Sequence, residues 1–143
     1  MNAAARLLQA WRAWCIRPRP LGSAGEAAAA RYLRRQGLRI VARGYRDPLG
    51  EIDLVAVEGR TVVFVEVKTR TDHLAGHPAE AVDRQKQRRL TRAALGFLRR
   101  HHLLDYPARF DVVAVTWPPG QRMPAVQHIR DAFPAAGDGG MYG

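Results

Sequence analysis

Apolar and polar positions divide the chain into segments with two different periods. Over 24–36, Ala27, Ala29, Ala30 and Leu33 recur at helical spacing, Gly37 suits the end, and Ser23 precedes as a candidate N-cap. A short strand is expected over 38–45, closed by the turn residues Asp47-Pro48-Leu49-Gly50. Two strands follow, 51–57 and 61–69, and the short Glu58-Gly59-Arg60 between them indicates an antiparallel hairpin. After a polar loop with Gly76 and Pro78, Val82, Leu90, Ala93, Ala94, Phe97 and Leu98 predict a long helix over 79–100. Strands are expected at 110–115 and, beyond the Pro118-Pro119-Gly120 break, at 125–129. The order αβββαββ predicts a single α/β domain, a central mixed β-sheet flanked by helices. The domain is expected over 22–133, after a basic N-terminal extension (1–21) and before a flexible tail (134–143).

Side chains alternate between the faces of a strand. Glu51, Asp53, Val55 and Val57 share one face of the first hairpin strand; Phe64, Glu66 and Lys68 share one face of the second. The opposite side is wholly aliphatic and is expected to be the core face. With Gly59-Arg60 as the loop, Asp53 stands opposite Glu66 and Glu51 opposite Lys68; with Glu58-Gly59, Glu51 faces Glu66 and Asp53 is its diagonal neighbour. Either register brings two carboxylates within about 5–8 Å, which destabilises the pair unless positive charge lies between them. A hard divalent cation such as Mg²⁺ meets that need with one or two carboxylates and several waters. The plainer reading is a solvated polar face, weakened here because the strand is so apolar and lies between two other elements.

Composition narrows the partners. The 143 residues carry a formal net charge of +10 and a pI near 11.1, which points to a polyanion, nucleic acid ahead of an anionic membrane surface. Cys15 is the only cysteine, so neither an internal disulfide nor a cysteine-based zinc site can form, and a reducing, cytoplasmic setting is expected. Arg6 and Arg12 interrupt the apolar N-terminal stretch, and no segment reads as a membrane span, so no stable membrane association is expected. Of the 23 cationic residues, 21 are Arg and only Lys68 and Lys86 are Lys. Lys is a compact ammonium with a tunable pKa, whereas Arg is a rigid, permanently charged fork, so the two exceptions invite a chemical reason.

Two helical residues point toward the same region. Glu26 shares the stripe of Ala29, Ala30 and Leu33, yet Ser23-Ala24-Gly25-Glu26 also reads as a capping box, which the residues alone favour. Lys86 lies four residues from both Val82 and Leu90, on the apolar stripe of the long helix, with Gln85 as an inward neighbour. Arg84, Arg88, Arg89 and Arg92 read as exposed cations suited to phosphate contact. His73, His77, His101 and His102 read as surface or helix-end residues rather than a metal cluster.

Gly22-x-x-Gly25-Glu26, Gly50-Glu51-Ile52-Asp53-Leu54 and Phe64-Val65-Glu66-Val67-Lys68-Thr69-Arg70 together resemble the bacterial YraN-like family. Lys86-x-x-Arg89-Leu90, Arg109-Phe110-Asp111-Val112-Val113 and the ending from Ile129 to Phe133 also match, so the resemblance covers about residues 22–133. That family looks like a branch of the PD-(D/E)xK nuclease superfamily, similar in layout to archaeal Holliday-junction resolvases, and implies a restriction-endonuclease-like fold. Ile52 stands where the motif's proline would precede Asp53. The resemblance implies that Asp53, Glu66 and the Val67 carbonyl hold Mg²⁺ or Mn²⁺ and that Lys68 stabilises charge or orients water. It also makes Glu26 a fourth member of the site, acidic and a metal ligand, against the capping reading.

The expected function is therefore a metal-dependent endonuclease acting on structured or branched DNA. Arg70, Lys86, Arg88, Arg89 and Arg92 would hold the backbone with little sequence readout. A homodimer is expected by analogy with junction resolvases. The alternative is a catalytically silent nucleic-acid-binding module on a nuclease fold. A third reading is a protein-interaction or membrane-surface role for the basic extension.

Overall fold

The structure is a computed structural model, and it describes residues 24–70 and 82–136. The basic extension, Ser23, His73, His77 and residues 137–143 lie outside the described residues. The elements are α1 (Ala24–Arg35), β1 (Arg39–Asp47), β2 (Gly50–Glu58), β3 (Thr61–Arg70), α2 (Arg84–Arg100), β4 (Ala108–Thr116) and β5 (Ala125–Phe133), in the order predicted. Among the described residues, no helix is long and apolar enough to cross a membrane.

Local chemistry sets the helix ends. Gly37 takes φ 95°, Leu38 N–H donates to the Leu33 carbonyl at 3.0 Å, and Gly37 N–H donates to that of Arg34 at 3.0 Å. This pair of bonds is the Schellman motif, and the accompanying Leu33/Leu38 contact is buried. The long helix starts at Arg84 rather than at 79, because the Asp83 carboxylate accepts the Lys86 amide at 2.8 Å and caps it. Val82 is buried but precedes the helix, so its apolar character carries the helical period past the true start.

The five strands lie in the order β1-β2-β3-β4-β5. All neighbours are antiparallel except β3 and β4, whose parallel pairing requires the crossover that α2 supplies. Against the expectation of one core face, both faces of the sheet are buried. Ala28, Ala29, Ala30 and Leu33 of α1 cover Leu54, Ala56, Val63 and Val65. Leu90, Ala93, Ala94 and Phe97 of α2 cover Val55, Val57 and Phe64, which share their face with the acidic residues. Central strands between two helical layers carry nearly continuous apolar runs, and one-sided alternation understates that burial. Phe97 anchors the α2 layer, with edge-to-face rings of Tyr45 at 5.1 Å and Phe64 at 5.8 Å. Burial of such a side chain contributes about 1.5–3 kcal/mol.

Two glycines let α2 approach the β1–β2 turn. A Cβ on Gly50 would lie 3.1 Å from the Arg89 carbonyl oxygen, and one on Gly96 would lie 2.7 Å from Asp47 Oδ2. The same Asp47 holds the turn, its Oδ1 accepting the amides of Leu49 at 2.8 Å and Gly50 at 3.0 Å. The helix is thereby seated so that its first turn reaches the C-terminal half of β3.

Candidate active site

The β2–β3 hairpin takes the Gly59-Arg60 loop, since Glu58 pairs with Thr61 and Gly59 has φ 60°. Of the two registers the residues leave open, this is the one that sets Asp53 opposite Glu66. The backbone ladder, however, ends at Leu54↔Val65. Beyond it the Asp53 side chain replaces a backbone partner: its Oδ2 accepts the Val67 amide at 2.8 Å. Because the N–H and C=O of one strand residue point to the same side, the Val67 carbonyl also faces the gap where β2 and β3 part. Ile52 joins the α2 layer and Leu54 the α1 layer, so strict alternation breaks across Asp53.

Glu66 is buried, 7% exposed, and one of its oxygens receives both lysines of the chain. Lys86 Nζ lies 2.5 Å from Glu66 Oε1, and Lys68 Nζ lies 3.6 Å from the same atom. Lys86 reaches it from the first turn of α2. Glu26, half-buried in the first turn of α1, approaches from the other layer, close enough for its charge to act on Asp53. The Ser23 partner of the expected capping box lies outside the described residues.

Burial and the neighbouring Glu66 carboxylate push the Asp53 carboxyl up to about 7; Glu26 adds to the rise, and the Val67 amide opposes it. Burial and the adjacent Lys86 ammonium lower the Lys68 pKa, with Glu66 pulling the other way. Burial would also lower Lys86, but its bond to Glu66 outweighs that and leaves it raised.

Other expected members fall elsewhere. Glu51 faces neither Lys68 nor Glu66: it pairs across β1 with Arg46, whose Nε is 3.3 Å away, and both side chains are exposed. Past Asp53, β2 leaves β3 and follows β1 into the turn, carrying Glu51 with it. Gln85 is exposed rather than inward; the half-buried glutamine is Gln87, whose Nε2 donates to the Val82 carbonyl at 2.9 Å. Arg84, Arg88, Arg89 and Arg92 are exposed as expected. Arg84, Arg88 and Arg92 form one stripe, about 12 Å long at 1.5 Å per residue, leading away from the end of α2 that holds Lys86. Arg70 is half-buried at the end of β3, where its carbonyl accepts the Trp117 amide at 3.2 Å. His101 is buried against Phe97 at the end of α2, a packing role rather than a surface one. His102, the next residue, is exposed at φ 56°.

A polar cluster without an assigned role in the sequence lies on the α1 side of the sheet. Asp111, fully buried, accepts from Arg109 Nε at 2.9 Å and from the Asp131 amide at 2.9 Å, and its Oδ2 lies 2.7 Å from His128 Nε2. Arg109 and Arg130 both bind Glu58, the latter through two bonds of 2.8 Å. Burial alone would raise the Asp111 carboxyl, but His128, Arg109 and the Asp131 amide hold it below its ordinary value. The cluster ties β5 and the β2–β3 hairpin to β4, and β4 in turn positions Glu66 through Glu66↔Val112. Its one sequence signal is Arg109-x-Asp111, two charges on one face of an otherwise apolar strand.

Among the described residues, no group of three or more His, Cys, Asp or Glu side chains is gathered closely enough to hold a metal by itself. The site offers the buried Glu66 carboxylate, the half-buried Asp53 carboxylate and a carbonyl, hard oxygen donors that suit Mg²⁺ or Mn²⁺ with water completing the shell. Burial first and then repulsion from Glu66 raise Asp53, and a cation bound to both carboxylates would offset the two effects.

The family model described as "Uncharacterised protein family UPF0102" matches residues 25–115, more than half of the chain. This chain belongs to the UPF0102 family. It is 51% identical over 126 residues to a UPF0102 protein of Rhodopirellula baltica, covering 86% of this chain and 75% of that one. It is 47% identical over 119 residues to one of Geotalea uraniireducens, covering 81% and 91%. With one of Rhodococcus opacus it shares 48% over 113 residues, covering 79% and 95%. The segment matched by the UPF0102 model runs from Gly25 to Val115 and so contains Glu26, Asp53, Glu66, Lys68 and Lys86.

Proposed function

We propose that this UPF0102 protein is a metal-dependent endonuclease with a PD-(D/E)xK, restriction-endonuclease-like domain, acting on structured or branched DNA. The observation that carries the reading is the meeting of Asp53, Glu66 and Lys68 where β2 parts from β3, with the Val67 carbonyl facing the same gap. Asp53, Glu66 and that carbonyl would hold Mg²⁺ or Mn²⁺. When bound, the cation supplies Lewis-acid charge at the scissile phosphodiester.

The remaining work belongs to the chain's own groups. Lys68, kept near the site by Glu66, donates to a phosphate oxygen as negative charge grows there, or orients the attacking water. Water adds across the P–O bond and the leaving oxygen departs with a proton. The exposed arginines of α2 and Arg70 hold the backbone through phosphate contacts that carry no sequence information. Glu26 adds negative charge near Asp53 and favours cation binding whether or not it ligates.

The experiment is cleavage of junction, flap and duplex DNA by the purified protein with Mg²⁺ or Mn²⁺. The reading requires cutting that Asp53→Asn and Lys68→Ala abolish. A catalytically silent nucleic-acid-binding module is favoured by one observation, that Lys86 and Lys68 already neutralise Glu66 without a metal. That alternative gives salt-sensitive binding with no dependence on metal.

A further inference from the structure

Lys86 makes the shortest polar contact of the site, to one of the two oxygens of a carboxylate that a cation would use. Its Nζ sits 2.5 Å from Glu66 Oε1, against 3.6 Å for Lys68, on a carboxylate that is only 7% exposed. An ammonium and a divalent cation compete for one carboxylate oxygen, because each is a compact positive charge and the second meets the repulsion of the first. We infer that Lys86 is the resident counter-cation of Glu66, and that its ammonium competes with a divalent cation for Oε1 and is displaced when the cation takes that oxygen. The inference rests on the metal-site reading above and adds to it a lysine that gates loading.

The surroundings allow that exchange. The Lys86 backbone is fixed, since its amide donates to the Asp83 cap at 2.8 Å, so only the side chain has to move. That side chain is 34% exposed and rises from the first turn of α2, so a rotamer change takes its ammonium into water. The displaced ammonium stays on the helix that carries Arg84, Arg88 and Arg92 and adds a cation where a phosphate would approach. Without a metal, Lys86 keeps a buried carboxylate paired, which avoids the large cost of an isolated buried charge.

The chain's two lysines make a direct test possible in the wild-type protein: labelling Lys with ¹³C at Cε gives two side-chain signals. Titration with Mg²⁺ should move the Lys86 signal to the position of a solvated ammonium, saturating with the metal isotherm. In parallel, calorimetry should show Lys86→Met binding Mn²⁺ at least about fivefold tighter than wild type, and by a larger factor than Lys68→Met. The Tm deficit of Lys86→Met or Lys86→Gln without metal should close at saturating Mn²⁺, whereas a merely structural lysine leaves it unchanged. Metal binding by Lys86→Met but not by wild type also supports the gate. A Lys86 signal that stays in place while metal binds, or equal tightening by both Met variants, overturns the gate and leaves the metal site standing. If wild type and both Met variants bind no divalent cation, the metal reading falls and the gate with it.

Discussion

Asp53 takes the place of a strand: its carboxylate accepts the Val67 amide at 2.8 Å at the point where the β2–β3 ladder has ended. The same side chain is thus both an edge partner for β3 and a charged group in the gap. An amide oxygen can accept from Val67 equally well, so Asp53→Asn separates the two roles. We predict that Asp53→Asn retains the fold, raises the metal-free Tm by a few degrees at pH 8 and abolishes metal binding. Thermal denaturation with and without Mn²⁺ checks both halves.

The raised Asp53 carboxyl fixes a pH dependence. With its pKa moved up to about 7 in the fold, chiefly by burial and then by Glu66, the folded chain holds a proton that the unfolded chain has lost. Its contribution to stability is therefore full below the ordinary carboxylate range and is lost as pH rises through about 7. Metal binding expels that proton, so apparent Mg²⁺ affinity should climb about tenfold per pH unit below 7 and level off above it. Calorimetry in buffers of different ionisation enthalpy should register close to one proton released at pH 6.

The buried Asp111 is the structural counterpart. Its removal leaves Arg109 and His128 without their shared carboxylate inside the α1 layer. Asp111→Ala should cost about 3–5 kcal/mol in urea unfolding, the range for breaking a buried charge pair. Because the fold lowers this carboxyl, its contribution is present above the ordinary Asp pKa and fades as pH falls through the depressed value. The destabilisation should accordingly shrink in acid.

The α2 stripe predicts a salt signature. Replacing Arg84, Arg88 or Arg92 with Ala should weaken DNA binding by similar factors on any sequence. Each replacement should make the slope of log K against log salt shallower by about 0.9 for every phosphate that the arginine neutralises. Fluorescence anisotropy over a salt series measures it. A weakening confined to one sequence would mean base contact instead.

Much of the site is legible in the sequence because its geometry is local. Alternation puts Glu66 and Lys68 on one face, and the loop at Gly59-Arg60 is one of two readings that bring Asp53 near Glu66; both depend on geometry that a strand enforces. Glu51 escapes the pattern because alternation assumes that a hairpin stays paired, and the parting at Asp53 is a tertiary event driven by β1. The start of α2 is obscured because the apolar character of Val82 prolongs the helical period, whereas Asp83 decides the end by capping it. The inward placement of Gln85 follows from that early start. The Asp111 cluster is hidden because its partners come from β2, β4 and β5, up to 72 residues apart, and no local pattern joins them. Lys86 stands out through the scarcity of lysine and its place four residues from Leu90, and the structure gives it a partner in Glu66.

Asp53, Glu66 and Lys68 form the proposed hydrolytic centre. Its most direct test is single-turnover cleavage of a four-way DNA junction by the full chain with Mn²⁺, comparing wild type with Lys68→Ala under conditions where both are saturated with DNA. Wild type should cut in a metal-dependent manner, and the variant should be slower by about a hundredfold or more, the scale for loss of one group that stabilises transition-state charge. Equal rates in the two proteins, or cutting that persists after chelation of the metal, would contradict it.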